Sequence, residues 1–143
     1  MKIKEKAAKN FEQGLNCAQS VIEAYSNEAG LDPEIAKSIS IGFGGGMGRA
    51  QKTCGAVSGG IMAIGLNYFD KNDMSGSKEK AYAKTREFLK RFEKKHGSSD
   101  CSGLLGVDLN SNEGKEEFRE KYMSKLRCLV YVKDACDILK EIL

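Results

Sequence analysis

Apolar positions recur at helical spacing along almost the whole chain. Ile3, Ala7 and Phe11 share one face of a predicted first helix over residues 3–13, which Gly14 and Asn16 interrupt. Asn16 caps a second helix that opens on Cys17, turns Val21, Ile22 and Tyr25 inward and ends near Gly30. Asp32-Pro33-Glu34 restarts the pattern, with aspartate as cap and proline in the first helical position; Ile35, Ile39 and Phe43 are expected to face inward. A glycine-rich loop (Gly44, Gly45, Gly46, Gly48) then leads into a run from about Thr53 to Phe69 without a charged residue. In a charge-rich chain, that run is expected to be the buried central helix. Asn72-Asp73 and Ser75-Gly76-Ser77 read as a connector. An amphipathic helix follows over residues 77–95, with Tyr82, Thr85, Phe88, Leu89 and Phe92 inward and Gly97 as its stop. A short turn carries Cys101 and Leu104-Leu105, and Asn110 or Ser111 caps a helix over residues 112–123. The last helix begins near Cys128 and turns Leu129, Val132, Ala135, Cys136, Leu139 and Leu143 inward.

Alternating β-type patterns are nearly absent. The expected fold is therefore all-α, a single-domain bundle of about six helices over residues 1–143, built around the glycine- and alanine-rich central helix. Within that helix Gly55, Gly59 and Ala63 recur every four residues, which leaves one face almost free of side chains. Close packing accounts for it most simply, with a ligand at the stripe as the alternative; in a non-catalytic module it would serve packing or homodimerisation.

Charge and composition narrow the function classes. The net charge is +3, and Lys84, Arg86, Lys90, Arg91, Lys94 and Lys95 share their helix with Glu79, Glu87 and Glu93. That describes a solvated face rather than a nucleic-acid surface. The N-terminal stretch has no apolar signal-peptide core, and the apolar run is shorter than the ~20 residues a membrane span needs. A cytoplasmic location is expected, where cysteines more often mark metal or redox chemistry than structural disulfides.

Four of the five cysteines then share one context. Cys17, Cys54, Cys101 and Cys128 each fall at or just before a predicted helix start, and Cys136 lies at a core position. Unpaired N–H groups at a helix start favour a thiolate, making it a better nucleophile or ligand. Arg49, Lys52 and Arg127 add positive charge near Cys54 and Cys128. Any single buried cysteine is an ordinary small hydrophobe; four in this context point to chemistry. No C-x-x-C pair is present, so neither a thioredoxin-type motif nor a zinc knuckle is indicated. The glycine loop matches neither common phosphate-binding pattern and reads as a tight turn, or as an anion cradle beside Cys54 with Arg49 supplying charge. His96, the only histidine, is expected at the surface against the carbonyls of its helix end.

Cys17 within NCAQSV, the block Cys54-Gly55-Ala56-Val57-Ser58-Gly59, Cys101 before SGLLGVDL and Cys128 before the terminal helix resemble the C-GCAxxG-C-C family of redox-active proteins. The resemblance covers essentially the whole chain. It implies a redox role carried by Cys17, Cys54, Cys101 and Cys128, with no substrate or electron donor attached. Three functions follow as alternatives. The first is thiol–disulfide exchange or electron transfer with a redox partner, with Cys54 as the preferred attacking thiolate. The second is a zinc ion or iron–sulfur cluster held by the same four cysteines. The third is a non-catalytic helical interaction module.

Overall fold

The computed structural model describes residues 1–143. Its centre is α4 (Gly55–Tyr68), the charge-free segment, in which Ala56, Val57 and Ile64 are fully buried. Helix α2 (Cys17–Ala29) lies along the small-residue stripe. A Cβ atom on Gly59 would sit 2.9 Å from the Ala18 carbonyl oxygen and 3.1 Å from Val21 Cβ, and one on Gly55 3.0 Å from the Ala18 nitrogen. Gly60 opens the opposite face to the ring of Phe88, on α5 (Met74–His96). The helix cost of these glycines, roughly 1 kcal/mol each relative to alanine, is offset by close packing, against the α2 backbone on one side and the Phe88 ring on the other, that no larger residue permits.

Around this axis, α1 (Ile3–Glu12) packs on α2 and on the terminal helix α8 (Leu129–Ile142). Helix α3 (Pro33–Ser40) rests on α2, and two short helices, α6 (Cys101–Leu105) and α7 (Asn112–Glu120), precede α8. The turn at Gly44–Met47 is loop in character, because Gly45 and Gly46 are left-handed. One core joins the elements through Val21, Ile22, Ile64, Phe88, Phe92 and Leu139. There is no β-strand, only an isolated antiparallel bridge between Thr53 and Asp100. No helix is long and apolar enough to cross a membrane.

The caps explain most boundaries. Asn16 and Gln19 form a reciprocal capping box, with Asn16 Oδ1 accepting from the Gln19 amide at 2.9 Å and Gln19 Oε1 accepting from the Asn16 amide at 3.0 Å. Asp73 accepts from the Gly76 amide at 3.0 Å, so α5 starts at Met74 and absorbs residues expected to form a connector. Helix α7 stops at Glu120, short of the expected Met123, where Tyr122 turns left-handed at φ 51°. The inward face of α3 also differs from expectation. Ile35 and Ile39 are 51% and 55% exposed, whereas Ala36 and Ser40 are fully buried, because α3 meets α2 through its small residues. Tyr82 is likewise exposed, leaving Phe88 and Phe92 to anchor α5.

Candidate functional site

Cys17, Cys54, Cys101 and Cys128 line one cavity of about 270 Å³, walled also by Leu104, Phe118 and Tyr131. Three local devices bring these distant positions together. The capping box opens α2 on Cys17. The Thr53–Asp100 bridge is flanked by Cys54 N–H to Ser99 O (2.8 Å) and Cys101 N–H to Lys52 O (2.7 Å). This ribbon places Cys54 and Cys101 on the same face as diagonal neighbours, a relation that spaces backbones about 7–8 Å apart. At that spacing a direct disulfide requires backbone movement. The ribbon also fixes the starts of α4 and α6 immediately after it.

Cys128 arrives differently. It closes a π-helical turn, Ser124–Cys128, that runs directly into α8. It therefore sits inside continuous helix and not at a free helix start, which corrects the expectation for this residue. Lys125-Leu126-Arg127 contains no capping side chain, so nothing halts the backbone there. Extra-residue helical turns of this kind are frequent at functional sites.

The third device is the glycine loop. Five consecutive residues, Gly45 to Arg49, hold φ between 60° and 69°, and Gln51 follows at 59°. Met47, Arg49 and Gln51 pay a steric penalty of about 1–2 kcal/mol each for that conformation. Four backbone bonds hold the turn, among them Gln51 N–H to Gly45 O (3.2 Å) and Lys52 N–H to Gly46 O (2.9 Å). A Cβ on Gly46 would lie 2.7 Å from Cys101 Cβ and 2.8 Å from Gln51 Cα, so the loop is laid tightly over Cys101. Gln51 is buried; its Nε2 donates to Val107 O (2.7 Å), and its Oε1 accepts from Leu109 N–H (2.8 Å). No sequence signal marked Gln51 or Tyr131. Their roles arise from contacts across more than fifty and more than twenty residues respectively.

The thiols are not equivalent. Cys17 and Cys128 are neighbours in the cavity, and each is the largest influence on the other's ionisation. Cys17 is the main cause holding the Cys128 thiol below its ordinary value, with a further contribution from the Cys128 backbone N–H against the cost of burial. Cys128, then burial and the fields of the other cysteines, raises Cys17 well above its own. Burial pushes Cys54 up to about 12, although the Ala56 and Val57 N–H groups oppose it. Burial and the field of Cys128 push Cys101 up to about 11, against the opposing influence of Gln51. The helix-start effect expected at Cys54 is therefore present and outweighed; the thiol held below its ordinary value is Cys128. Cys136 lies apart from this cavity in the core, and burial raises it to about 12.

These raised values bear on stability. A buried thiol stays protonated after its unfolded counterpart ionises near ~8.5, so the unfolded state binds fewer protons between that pH and the folded value. Stability is then unaffected at neutral pH and falls by about 1.4 kcal/mol per pH unit for each such thiol. Chemical denaturation of the reduced protein is expected to show this loss setting in above ~8.5 and ending near 11–12 for Cys54, Cys101 and Cys136. Cys136→Ala should make the slope shallower by one thiol's share; a pH-independent stability over that window would contradict the burial.

His96 departs from its expected surface role. It is nearly buried, with Nε2 2.9 Å from Asp134 Oδ2 and its ring against Phe92 and Tyr131 at 4.8 and 4.9 Å. Tyr131 in turn donates its hydroxyl to Leu104 O at 3.1 Å, and Arg127 donates to the same oxygen at 3.1 Å. This bracket fixes α8 and α6 as adjoining walls of the cavity. No three cysteine, histidine or carboxylate groups are gathered closely enough to chelate a single metal ion.

A family model described as "Putative redox-active protein (C_GCAxxG_C_C)" matches residues 15–142. An uncharacterized protein of Archaeoglobus fulgidus is 29% identical over 128 residues, which cover 83% of this chain and 85% of that one. No solved structure matches.

Proposed function

This chain belongs to the C_GCAxxG_C_C family, and on that premise we propose that the four-cysteine cavity is a dithiol redox centre whose electrons are carried by Cys17 and Cys128. The juxtaposition of Cys17 and Cys128 in the four-cysteine cavity is the observation that carries this reading. Cys128, the more acidic thiol, is the attacking group, and Cys17 is already in place to resolve the mixed disulfide it forms. The pair oxidises to one disulfide, giving two electrons and two protons to the disulfide of a redox partner. Cys54 and Cys101, held apart by the ribbon, line the pair's surroundings and tune its potential. A reduced cytoplasmic setting would keep the resting pair as thiols.

A second reading rests on the same convergence. Four thiols around one cavity, with amide N–H groups aimed at Cys54, match the donor set of an iron–sulfur cluster. The lack of a three-ligand chelating group disfavours a single zinc ion. Cys17, Cys54, Cys101 and Cys128 would hold the cluster, which would supply one-electron transfer.

Protein purified without oxygen and titrated in a thiol–disulfide redox buffer separates the two. The dithiol reading predicts iron-free protein that loses two thiols in one two-electron step. Stoichiometric iron and sulfide with a visible charge-transfer spectrum would transfer the function to the cluster. A protein that neither binds iron nor loses thiols in pairs would refute both.

A further inference from the structure

Arg49 is the one cation in the wall of the cysteine cavity, and its guanidinium takes part in none of the chain's ion pairs or side-chain hydrogen bonds. Its position is set with some force. Residues 45–49 form a left-handed turn, and a Cβ on Gly45 would meet Arg49 Cγ at 2.8 Å, so the arginine stem packs over Gly45 in the cavity wall while the residue stays exposed at the rim. The Arg49 carbonyl is fixed independently by the Asn110 side-chain amide at 2.8 Å. A non-glycine residue is thus held left-handed, at a steric cost, at the exposed rim of the four-cysteine cavity, without an ion-pair partner. The cavity volume of about 270 Å³ lies just under the usual range for drug-sized ligands, so its occupant is smaller.

We propose that Arg49 selects the oxidant of the Cys17–Cys128 pair: a small disulfide bearing a carboxylate. This rests on the dithiol reading and names its substrate class. The carboxylate accepts charge-assisted hydrogen bonds from the guanidinium while the disulfide reaches Cys128. Cys128 Sγ bonds to one substrate sulfur, the substrate S–S bond breaks, and the first thiolate departs. Cys17 then attacks Cys128 Sγ and displaces the second. Two electrons pass to the substrate, and the protons of Cys17 and Cys128 end on the two product thiols.

Three disulfides of similar size test the proposal: dithiodipropionate (anionic), hydroxyethyl disulfide (neutral) and cystamine (cationic), each reacted with reduced protein while thiol loss is followed. The anionic compound should react about tenfold faster than the neutral one, the scale of one charge-assisted hydrogen bond, with cystamine slowest. Added salt should compress that order. In Arg49→Asn, whose asparagine tolerates the left-handed backbone, the anionic-to-neutral ratio should fall to near one. Arg49→Lys should keep part of it, and circular dichroism should show both variants folded. Equal rates for the three compounds, or an anionic preference that survives Arg49→Asn, would overturn the selection by Arg49 and leave the dithiol intact. Failure of all three to oxidise the pair would instead overturn the dithiol reading, and this proposal with it.

Discussion

Cys128→Ser is expected to abolish reversible two-electron oxidation while the fold stands. The hydroxyl retains a polar partner for Cys17 in a half-buried site but cannot form a disulfide. Alkylation kinetics give the sharper signature. In the parent protein one thiol should react with iodoacetamide at a pH below the ordinary thiol range, because Cys128 alone is shifted down. Its rate should rise with pH and level off once it is ionised, while Cys54 and Cys101 remain protonated towards 12 and 11. The fast phase should vanish in Cys128→Ser. Cys17→Ser should keep a reactive thiol, without the resolving one, and so accumulate mixed disulfide. Its Cys128 should also ionise at higher pH, since Cys17 is the largest cause of the lowering. A fast phase surviving in Cys128→Ser would assign the nucleophile elsewhere.

The largest structural effect is expected at Gly59. Its Cβ position is 2.9 Å from a backbone oxygen of α2, and backbone cannot swing aside as a side chain can. Gly59→Ala should lose about 1–3 kcal/mol by overpacking, despite alanine's better helix propensity. Gly59→Leu must separate α2 from α4 and should consume most of a typical stability of roughly 5–15 kcal/mol. Gly65, on the same helix, has nothing within 4 Å of its Cβ position. Gly65→Ala should therefore stabilise by about 0.5–1 kcal/mol. Urea denaturation of the three variants checks the sign as well as the size. If Gly59→Ala and Gly65→Ala moved stability alike, close approach of the helices would not be what selects glycine.

The pair of outcomes at Gly59 and Gly65 marks what the sequence discloses. Small residues at a spacing of four (Gly55, Gly59, Ala63) are a local pattern, and they mark the tight face of α4. The capping residues Asn16 and Asp32 were equally legible, because a cap acts on its own next turn. Ile35 and Ile39 misled because hydrophobicity alone does not say which face a neighbour will cover; the small Ala36 and Ser40 let α3 lie closer to α2. Ser75-Gly76-Ser77 has the composition of a connector, yet the Asp73 cap overrides it and starts α5 at Met74.

For the site, the residue types were legible and their arrangement was not. The four cysteines stood out by context, and the same pattern carried the family resemblance, which the match over residues 15–142 bears out. Their meeting depends on the Thr53–Asp100 bridge and on the Gln51 struts to Val107 and Leu109. Those contacts join distant positions through backbone atoms common to every residue. The relative acidities were equally hidden. Helix starts predict a lowered thiol at Cys54, but the outcome depends on how completely the sulfur is buried, and burial is a property of the assembled fold. Cys128 gains its acidity from Cys17, more than a hundred positions away in the chain.

The most direct measurement is peptide mapping of anaerobically prepared protein after mild oxidation and alkylation of the remaining thiols. The account predicts a Cys17–Cys128 disulfide, with Cys54, Cys101 and Cys136 recovered as alkylated peptides. A disulfide linking Cys54 to Cys101, or Cys17 and Cys128 both recovered alkylated after oxidation, would contradict it.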